Sequence, residues 1–308
     1  MIKLETFNKA IYDTIRRATT TIAPDIDKAF KEALKNEHEG LGKAALEATY
    51  ENMLEGQKNE LLLCSDTGWP LFFIKLGEDA KLEGGLSRLE ENVNKMVAKA
   101  TDDAFMRATV KHPITGHDTG NNVGSNVPAF TYHLVPGKDI EVTFVSKGGG
   151  SECFGGTRYM VMGFADGVAG VEKFIIESYI AGCRSGKICS PSLIGVGIGG
   201  TADISAKLAK EASSLRPIGS RHPEPEIAAI EERLEKAISM LGIGCLGLGG
   251  SQSLFCVHVE YAFSHIGGIA VSMSASCCIT RRATTVIRDD NTTKIKPLPD
   301  WFEWRRNG

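Results

Sequence analysis

Apolar positions along the chain follow two rhythms. In "FNKAIYDTIRRA", "DIDKAFKEAL" and "LGKAALEATYENMLEG", between residue 3 and about residue 59, they recur every three or four residues. That spacing gathers them on one face of a helix. Pro24 stands ahead of the second of these helices, and Gly40 with Gly42 marks the break before the third. "WPLFFIKLG" changes the rhythm to a short apolar run, which reads as a strand. "LSRLEENVNKMVAKATDDAFMRATV" returns to helical spacing and predicts one helix reaching residue 110. The polar stretch "KHPITGHDTGNNVGSNVPAF" is long for a plain connection and has the composition of a binding loop. "DIEVTFVS" alternates as a strand and runs straight into "KGGGSECFGG".

The second half repeats the habit. "GVEKFIIESYIAG", "ADISAKLAKEA" and "IAAIEERLEKAISML" read as helices; "SLIGVGI", "SLFCVHVEYAF", "GGIAVSMSAS" and "RATTVIR" read as strands. "RPIGSRHPEPE" is a proline-studded, rigid connector. No internal repeat and no flexible linker interrupts the pattern. The expectation is a mixed α/β (α+β) fold: a helical N-terminal part over about 1–59, then a mixed sheet flanked by helices, in one catalytic domain over 1–308. Polar, glycine-rich segments follow apolar strands repeatedly, and function in such folds gathers in those loops.

Composition narrows the classes. Apolar residues make up 42% of the 308 positions and charged residues 24%, the profile of a globular protein. Thirty-five basic side chains stand against thirty-eight acidic ones, and no basic stripe gives a nucleic-acid footprint. Glycine or charge breaks every apolar run well short of the about 20 residues that a membrane span needs. "MIKLETFNKAIYDTIRR" lacks a signal peptide's apolar centre, so a cytoplasmic protein is expected.

Two glycine motifs invite a phosphate reading. "GVGIGG" at 195–200 spells G-x-G-x-x-G after a strand and before a helix, but no acidic residue ends a second strand about 20 residues on, as a dinucleotide site requires. No βαβ unit is expected there, and a close-packed strand-to-helix turn is the better reading. "KGGGS" at 147–151 lacks the Lys-Ser/Thr ending of a phosphate loop; its glycines would let backbone approach a ligand.

Eight cysteines sit irregularly along the chain. A chain this long is not a secreted disulfide scaffold, and buried free cysteine commonly serves as a small apolar filler. Three nevertheless stand beside polar turns: Cys64 in "CSDTG", Cys189 in "ICSPS" and Cys277 in "SASCCITRR". Their separations are far from those of zinc ribbons. Three thiolates drawn from distant segments fit an iron–sulfur cluster, which takes cysteine ligands, while packing remains the alternative for each cysteine alone.

These segments resemble the α-type catalytic subunit of the iron–sulfur hydro-lyases, the tartrate dehydratase and class I fumarase family. The resemblance runs from about residue 40 to 288 through "CSDTG", "DTGNNVGSNVP", "KGGGS", "CSPSLIGVGIGGTAD", "LRPIGSRHPEP" and "CCITRR". "LRPIGSRHP" and its following helix look closer to tartrate dehydratase than to fumarase. By resemblance, Cys64, Cys189 and Cys277 would hold a [4Fe-4S] cluster with one open iron, and Cys278 would be a packing residue. Asp66 and His265 would be the catalytic pair; Arg107 would bind a substrate carboxylate, and Gly150 would lie against the substrate. Ser65 stands where the family usually has Gln, so its contact with substrate is expected to differ.

The resemblance implies reversible elimination of water from a 2-hydroxy dicarboxylic acid, L-tartrate first, with fumarate/malate or a substituted malate as alternatives. It also implies oxygen sensitivity and a smaller β subunit that supplies the base and further substrate contacts, in an α2β2 assembly. An electron-transfer subunit and a dinucleotide-dependent oxidoreductase are the rivals from other classes.

Overall fold

The chain is seen in a computed structural model that describes residues 1–153 and 155–303. It begins with α1 (Leu4–Thr20), α2 (Pro24–Asn36) and α3 (Leu41–Lys58), the three helices that the apolar spacing predicts. There follow β1 (Trp69–Gly77), α4 (Leu89–Asp102), β2 (Ala129–Val135), β3 (Ile140–Lys147) and the short α5 (Gly149–Cys153). Next come β4 (Thr157–Met162), α6 (Gly167–Arg184), β5 (Ser192–Ile198), α7 (Ala202–Leu215) and α8 (Pro225–Ser239). The strands β6 (Leu254–Tyr261), β7 (Ile269–Ser276), β8 (Arg281–Ile287) and β9 (Thr293–Lys296) come last. The fold is mixed α and β, as expected. The range 1–308 expected for the domain includes residue 154 and residues 304–308, which lie outside the described residues. The described residues divide into two compact units, one of residues 1–24, 52–147 and 281–299, the other of residues 25–51, 148–153, 155–280 and 300–303.

In the first unit a five-stranded sheet runs β2-β1-β3-β8-β9, with β1 parallel to β2 and antiparallel to β3. Alternation along β1 sends Phe72 and Ile74 to one face, where they share a core with Val142, Phe144, Phe7, Ile11, Ile15, Val93 and Val97. Burying each such side chain stabilises the unit by about 1.5–3 kcal/mol. Positions 7, 11 and 15 lie one turn apart on α1, so a single stripe of that helix closes over the sheet. The opposite face carries polar pairs: the Thr143 and Thr284 hydroxyls meet at 2.8 Å, and Lys75 lies 3.2 Å from Glu141.

In the second unit the order is β4-β7-β5-β6. β5 pairs antiparallel with β7 and parallel with β6. Gly195 and Gly197 point the same way from β5, into the backbone of α7. A Cβ at Gly195 would lie 1.9 Å from the Ala209 carbonyl, and one at Gly197 would lie 1.9 Å from the Ser205 carbonyl. Two glycines of "GVGIGG" are therefore there to let a helix lie directly on a strand.

The structure departs from the expectations in three places. The helix predicted to residue 110 ends at Asp102. Ala104 takes a left-handed conformation, and the Phe105 N–H turns back to the Ala100 carbonyl. The strands β2, β4 and β9 were not foreseen; they are sheet edges that keep many side chains exposed, among them the apolar Leu134, Met160 and Val161. Thirdly, β5 and β6 do form a parallel crossover, through α7 and α8. The acidic residue near the end of β6 is Glu260, and it is engaged by Arg216 and His222.

Candidate functional site

The turn "CSDTG" ahead of β1 belongs to the first unit. It makes no regular secondary structure, so its four carbonyls from Ser65 to Gly68 need donors from elsewhere. Each has one. The Ser65 carbonyl accepts from Arg107 Nη1 (3.0 Å), and the Asp66 carbonyl accepts from Arg281 Nη1. The Thr67 carbonyl accepts from Ser146 Oγ (2.5 Å), and the Gly68 carbonyl accepts from Thr109 Oγ1 (3.0 Å). Cys64 and Asp66 are half-buried on this turn, and Ser65 is exposed.

Arg107 sits in the irregular segment after α4, held at its backbone. Its N–H donates to the buried Thr67 hydroxyl at 3.0 Å, and its carbonyl accepts from Asn122 Nδ2 at 2.8 Å. Asn122 is fully buried inside the polar stretch "DTGNNVGSNVP", and its Oδ1 also takes the Thr109 N–H at 2.9 Å. That stretch therefore includes the support for Arg107. Apart from the bond to Ser65, the exposed guanidinium makes no other bond among the described residues. In this unit the structure brings together Cys64, Ser65, Asp66 and Arg107.

In the second unit Cys189 lies three residues before β5, and Cys277 follows β7 directly. Leu193 pairs with Ser276 across these antiparallel strands, which puts both cysteines at one end of the sheet. The Cys278 N–H donates to the Cys189 carbonyl at 3.0 Å and ties the two segments together. Cys189 is exposed, Cys277 half-buried and Cys278 buried. Gly150, on α5, belongs to the same end: a Cβ there would lie 2.5 Å from the carbonyl of Lys187, two residues before Cys189. "KGGGS" thus opens a short helix in place of the expected loop.

His265 stands elsewhere. It occupies the turn between β6 and β7, at the end of the sheet opposite Cys277. Eight residues of β7 lie between them, a span of about 26 Å at strand rise. The ring is exposed, and its Nδ1 accepts the Gly267 N–H at 3.0 Å. A neutral ring bonded in this way carries its proton on Nε2.

None of the eight cysteines forms a disulfide. Burial pushes the thiols of Cys183 and Cys245 up to about 11, which keeps them protonated and unreactive. Among the described residues, no three His, Cys, Asp or Glu side chains meet as a metal-ion site. No described helix is long and apolar enough to cross a membrane. Sequence reasoning missed Arg281, Ser146, Thr109 and Asn122, whose partners are distant in sequence.

The two clusters and their supporting bonds lie within residues 8–286, which match the family model described as fumarate hydratase (Fumerase). A Methanocaldococcus jannaschii protein provisionally named L(+)-tartrate dehydratase subunit alpha is 35% identical over 282 residues, 91% of this chain and 97% of that protein. The L(+)-tartrate dehydratase subunit alpha of Escherichia coli K12 is 34% identical over 275 residues, 89% of this chain and 88% of that protein. The protein of that name in Shigella sonnei matches to the same extent. Fold and sequence together define a hydro-lyase. The chain belongs to the fumarate hydratase (Fumerase) family.

Proposed function

We propose that this chain is the α subunit of an oxygen-sensitive [4Fe-4S] hydro-lyase, and that it reversibly dehydrates a 2-hydroxy dicarboxylic acid, L-tartrate to oxaloacetate. One observation carries the reading. The match to proteins named L(+)-tartrate dehydratase subunit alpha spans 89–91% of the chain. On this reading residues 1–308 work as one catalytic domain.

The donor chemistry supports the cluster. Thiolate sulfur is what iron–sulfur clusters take. Cys189 and Cys277 stand on bonded segments with their residues exposed or half-buried, and Cys64 stands on a turn whose next four carbonyls are engaged. On this reading Cys64, Cys189 and Cys277 would hold the cluster through three thiolates. When bound, the group supplies an iron with an open position, a Lewis acid for a substrate oxygen.

The remaining steps belong to the chain's own side chains. Arg107, with Nη1 fixed on Ser65, presents its other N–H groups to a substrate carboxylate and orients it. Gly150 brings bare backbone beside the substrate, and exposed Ser65 leaves room that an amide would fill. Asp66 and His265 form a pair that handles the proton of the departing hydroxyl, with the imidazole proton on Nε2 offered to the carboxylate. Because β7 separates His265 from the Cys189–Cys277 end of its own chain, the histidine of this pair comes from a second α chain. A β subunit supplies the base that takes the carbon-bound proton, so the assembly is α2β2 and the single chain is inactive.

The test is anaerobic co-expression with a β subunit, followed by a screen of L-tartrate, malate and alkyl-substituted malates for unsaturated or keto product. Iron bound to the complex with L-tartrate turnover is the expected result. Turnover of malate alone would reassign the enzyme as a fumarate hydratase. Iron without any hydro-lyase turnover, and no spectral response to these acids, would favour electron transfer and sink the proposal.

A further inference from the structure

Arg281 is among the most buried large side chains of the protein, at 1% exposure. Among the described residues it has no carboxylate partner. Its Nη1 donates to the Asp66 carbonyl, its Nη2 to the Ser146 carbonyl at 3.4 Å, and its Nε makes no hydrogen bond. A guanidinium removed from water without a counter-ion is costly. An apolar residue would fill the same space at lower cost, and a lysine, whose ammonium is more strongly hydrated, would reach only one carbonyl. The rigid fork makes the difference, because it bonds two carbonyls in a fixed geometry.

Those two carbonyls belong to the parts that must stay in register. One is on the "CSDTG" turn, between Cys64 and the start of β1. The other is on β3, where Ser146 pairs with Pro70. Ser146 makes a second tie through its hydroxyl, to the Thr67 carbonyl at 2.5 Å. Arg281 opens β8, which pairs with β3 through Ser146 itself. The arginine is thus a cross-brace from the sheet to the turn, made independently of the ladder bonds.

The geometry points to Arg281 as a positioning residue: its buried fork fixes the backbone at Asp66, and thereby holds the Asp66 carboxyl and the Cys64 sulfur where the reaction needs them. The inference rests on the roles proposed above for Cys64 and Asp66. On this inference Arg281 acts through the backbone that it holds.

The test uses the α chain co-expressed with its β subunit, with Arg281→Met and Arg281→Lys beside the wild type, and Ser146→Ala as a variant that removes one tie but keeps the fork. A displaced acid group lowers turnover far more than substrate affinity, so Arg281→Met is expected to reduce kcat about a hundredfold with KM within about threefold. Arg281→Lys should recover part of that loss, since it restores one donor. The second readout needs no iron or turnover: hydrogen exchange of the backbone over residues 64–68 in the iron-free full chain. It should speed up about tenfold in Arg281→Met, the scale of one lost charge-assisted bond, with exchange around Cys189 unchanged. Should Arg281→Met fail to fold, Arg281→Lys and Ser146→Ala carry the same comparison. Wild-type exchange at 64–68 together with an unchanged kcat would overturn the proposal. A wild-type complex without iron or turnover would instead overturn the functional reading, leaving the exchange comparison to stand by itself.

Discussion

The two ends of the β4-β7-β5-β6 sheet are built to different standards. At the cysteine end every segment is tied. Cys278 bonds to Cys189, Ser190 Oγ donates to the Gly244 carbonyl at 2.6 Å, the Leu246 N–H returns to the Ser190 carbonyl at 3.0 Å, and the Ala275 N–H reaches Gly156 at 2.7 Å. At the histidine end the turn bonds to the sheet edge, Ala262 to Ile198, Gly199 to Ala270 and the Gly200 N–H to the Phe263 carbonyl at 3.3 Å, and beyond Phe263 it bonds within itself, the Gly268 N–H reaching the His265 carbonyl at 3.2 Å. Its tip presents His265 between Phe263 at 93% exposure and Ile266 at 88%. One end is held by bonds between its segments, as the proposed ligand role would require; the other offers apolar side chains and an imidazole outward. A fixed end and a presented end make sense together if the presented end works against another chain.

The largest effect expected is at the fixed end. Cys189→Ser and Cys277→Ser should each cut turnover of the assembled complex about a thousandfold or more, because metal polarisation supplies several kcal/mol. Iron content should fall with it. Iron analysis and turnover of the purified complex check this, and normal iron in either variant would break the comparison at its root.

The presented end comes next. His265→Asn should lower kcat by about 10²–10⁴-fold, the usual worth of a positioned acid–base group, while iron content stays at the wild-type level. A mixture decides whether the histidine acts across chains. Asp66→Asn and His265→Asn chains, each inactive alone, should regain about a quarter of wild-type activity when co-expressed, since half of randomly paired two-fold dimers then hold one intact site in two. No recovery in the mixed complex would return His265 to its own chain or remove it from the reaction.

A smaller effect is expected from the glycines of β5, which serve packing. A methyl group at Gly195 would meet the Ala209 carbonyl at 1.9 Å and the Ser213 N–H nitrogen at 2.4 Å, both backbone atoms that cannot swing aside. Gly195→Ala should therefore destabilise the chain by about 3 kcal/mol, the upper range for overpacking. Urea unfolding measures it. A dinucleotide added to the wild type should leave the unfolding midpoint unchanged.

The sequence made visible what burial imprints on it. β1 and β5 match the runs "WPLFFIKLG" and "SLIGVGI" residue for residue, because strands buried on both faces read as unbroken apolar stretches. The edge strands β2, β4 and β9 carry no such imprint: polar residues interrupt β2 and β9, and the apolar Tyr159, Met160 and Val161 of β4 stand exposed, so apolar letters there do not report burial. In the candidate site the thiols could be singled out by their place beside polar turns. The carbonyl donors could not. Arg107 lies 42 positions from Ser65, Ser146 lies 79 from Thr67, and Arg281 lies 215 from Asp66. No local rhythm encodes a bond across such separations. "GVGIGG" is ambiguous by spelling, which serves phosphate binding or helix packing alike; the close-packed turn preferred from its surroundings is what α7 lying on β5 shows.

The smallest expected effect separates the exposed thiols from the buried ones. Burial raises the Cys245 thiol from an ordinary 9.0 to about 11; the nearby Glu37 carboxylate adds to the rise, while a bond with the Thr49 hydroxyl opposes it. The folded state therefore keeps this proton at a pH where the unfolded chain has begun to lose it. With more protons bound in the folded state than in the unfolded one, stability must fall as pH rises from about 9 to about 11. Below pH 9 both states hold the proton, and the thiol adds no slope. Cys245→Ala should flatten the decline in urea midpoint between pH 9 and 11 relative to the wild type. It should leave iron content and turnover of the complex at pH 7 unchanged, because this sulfur sits on no turn assigned to the cluster. A Cys245→Ala complex that lost its iron would show that a buried thiol away from those polar turns also serves the cluster, and would undercut the choice of Cys64, Cys189 and Cys277 made from the turns.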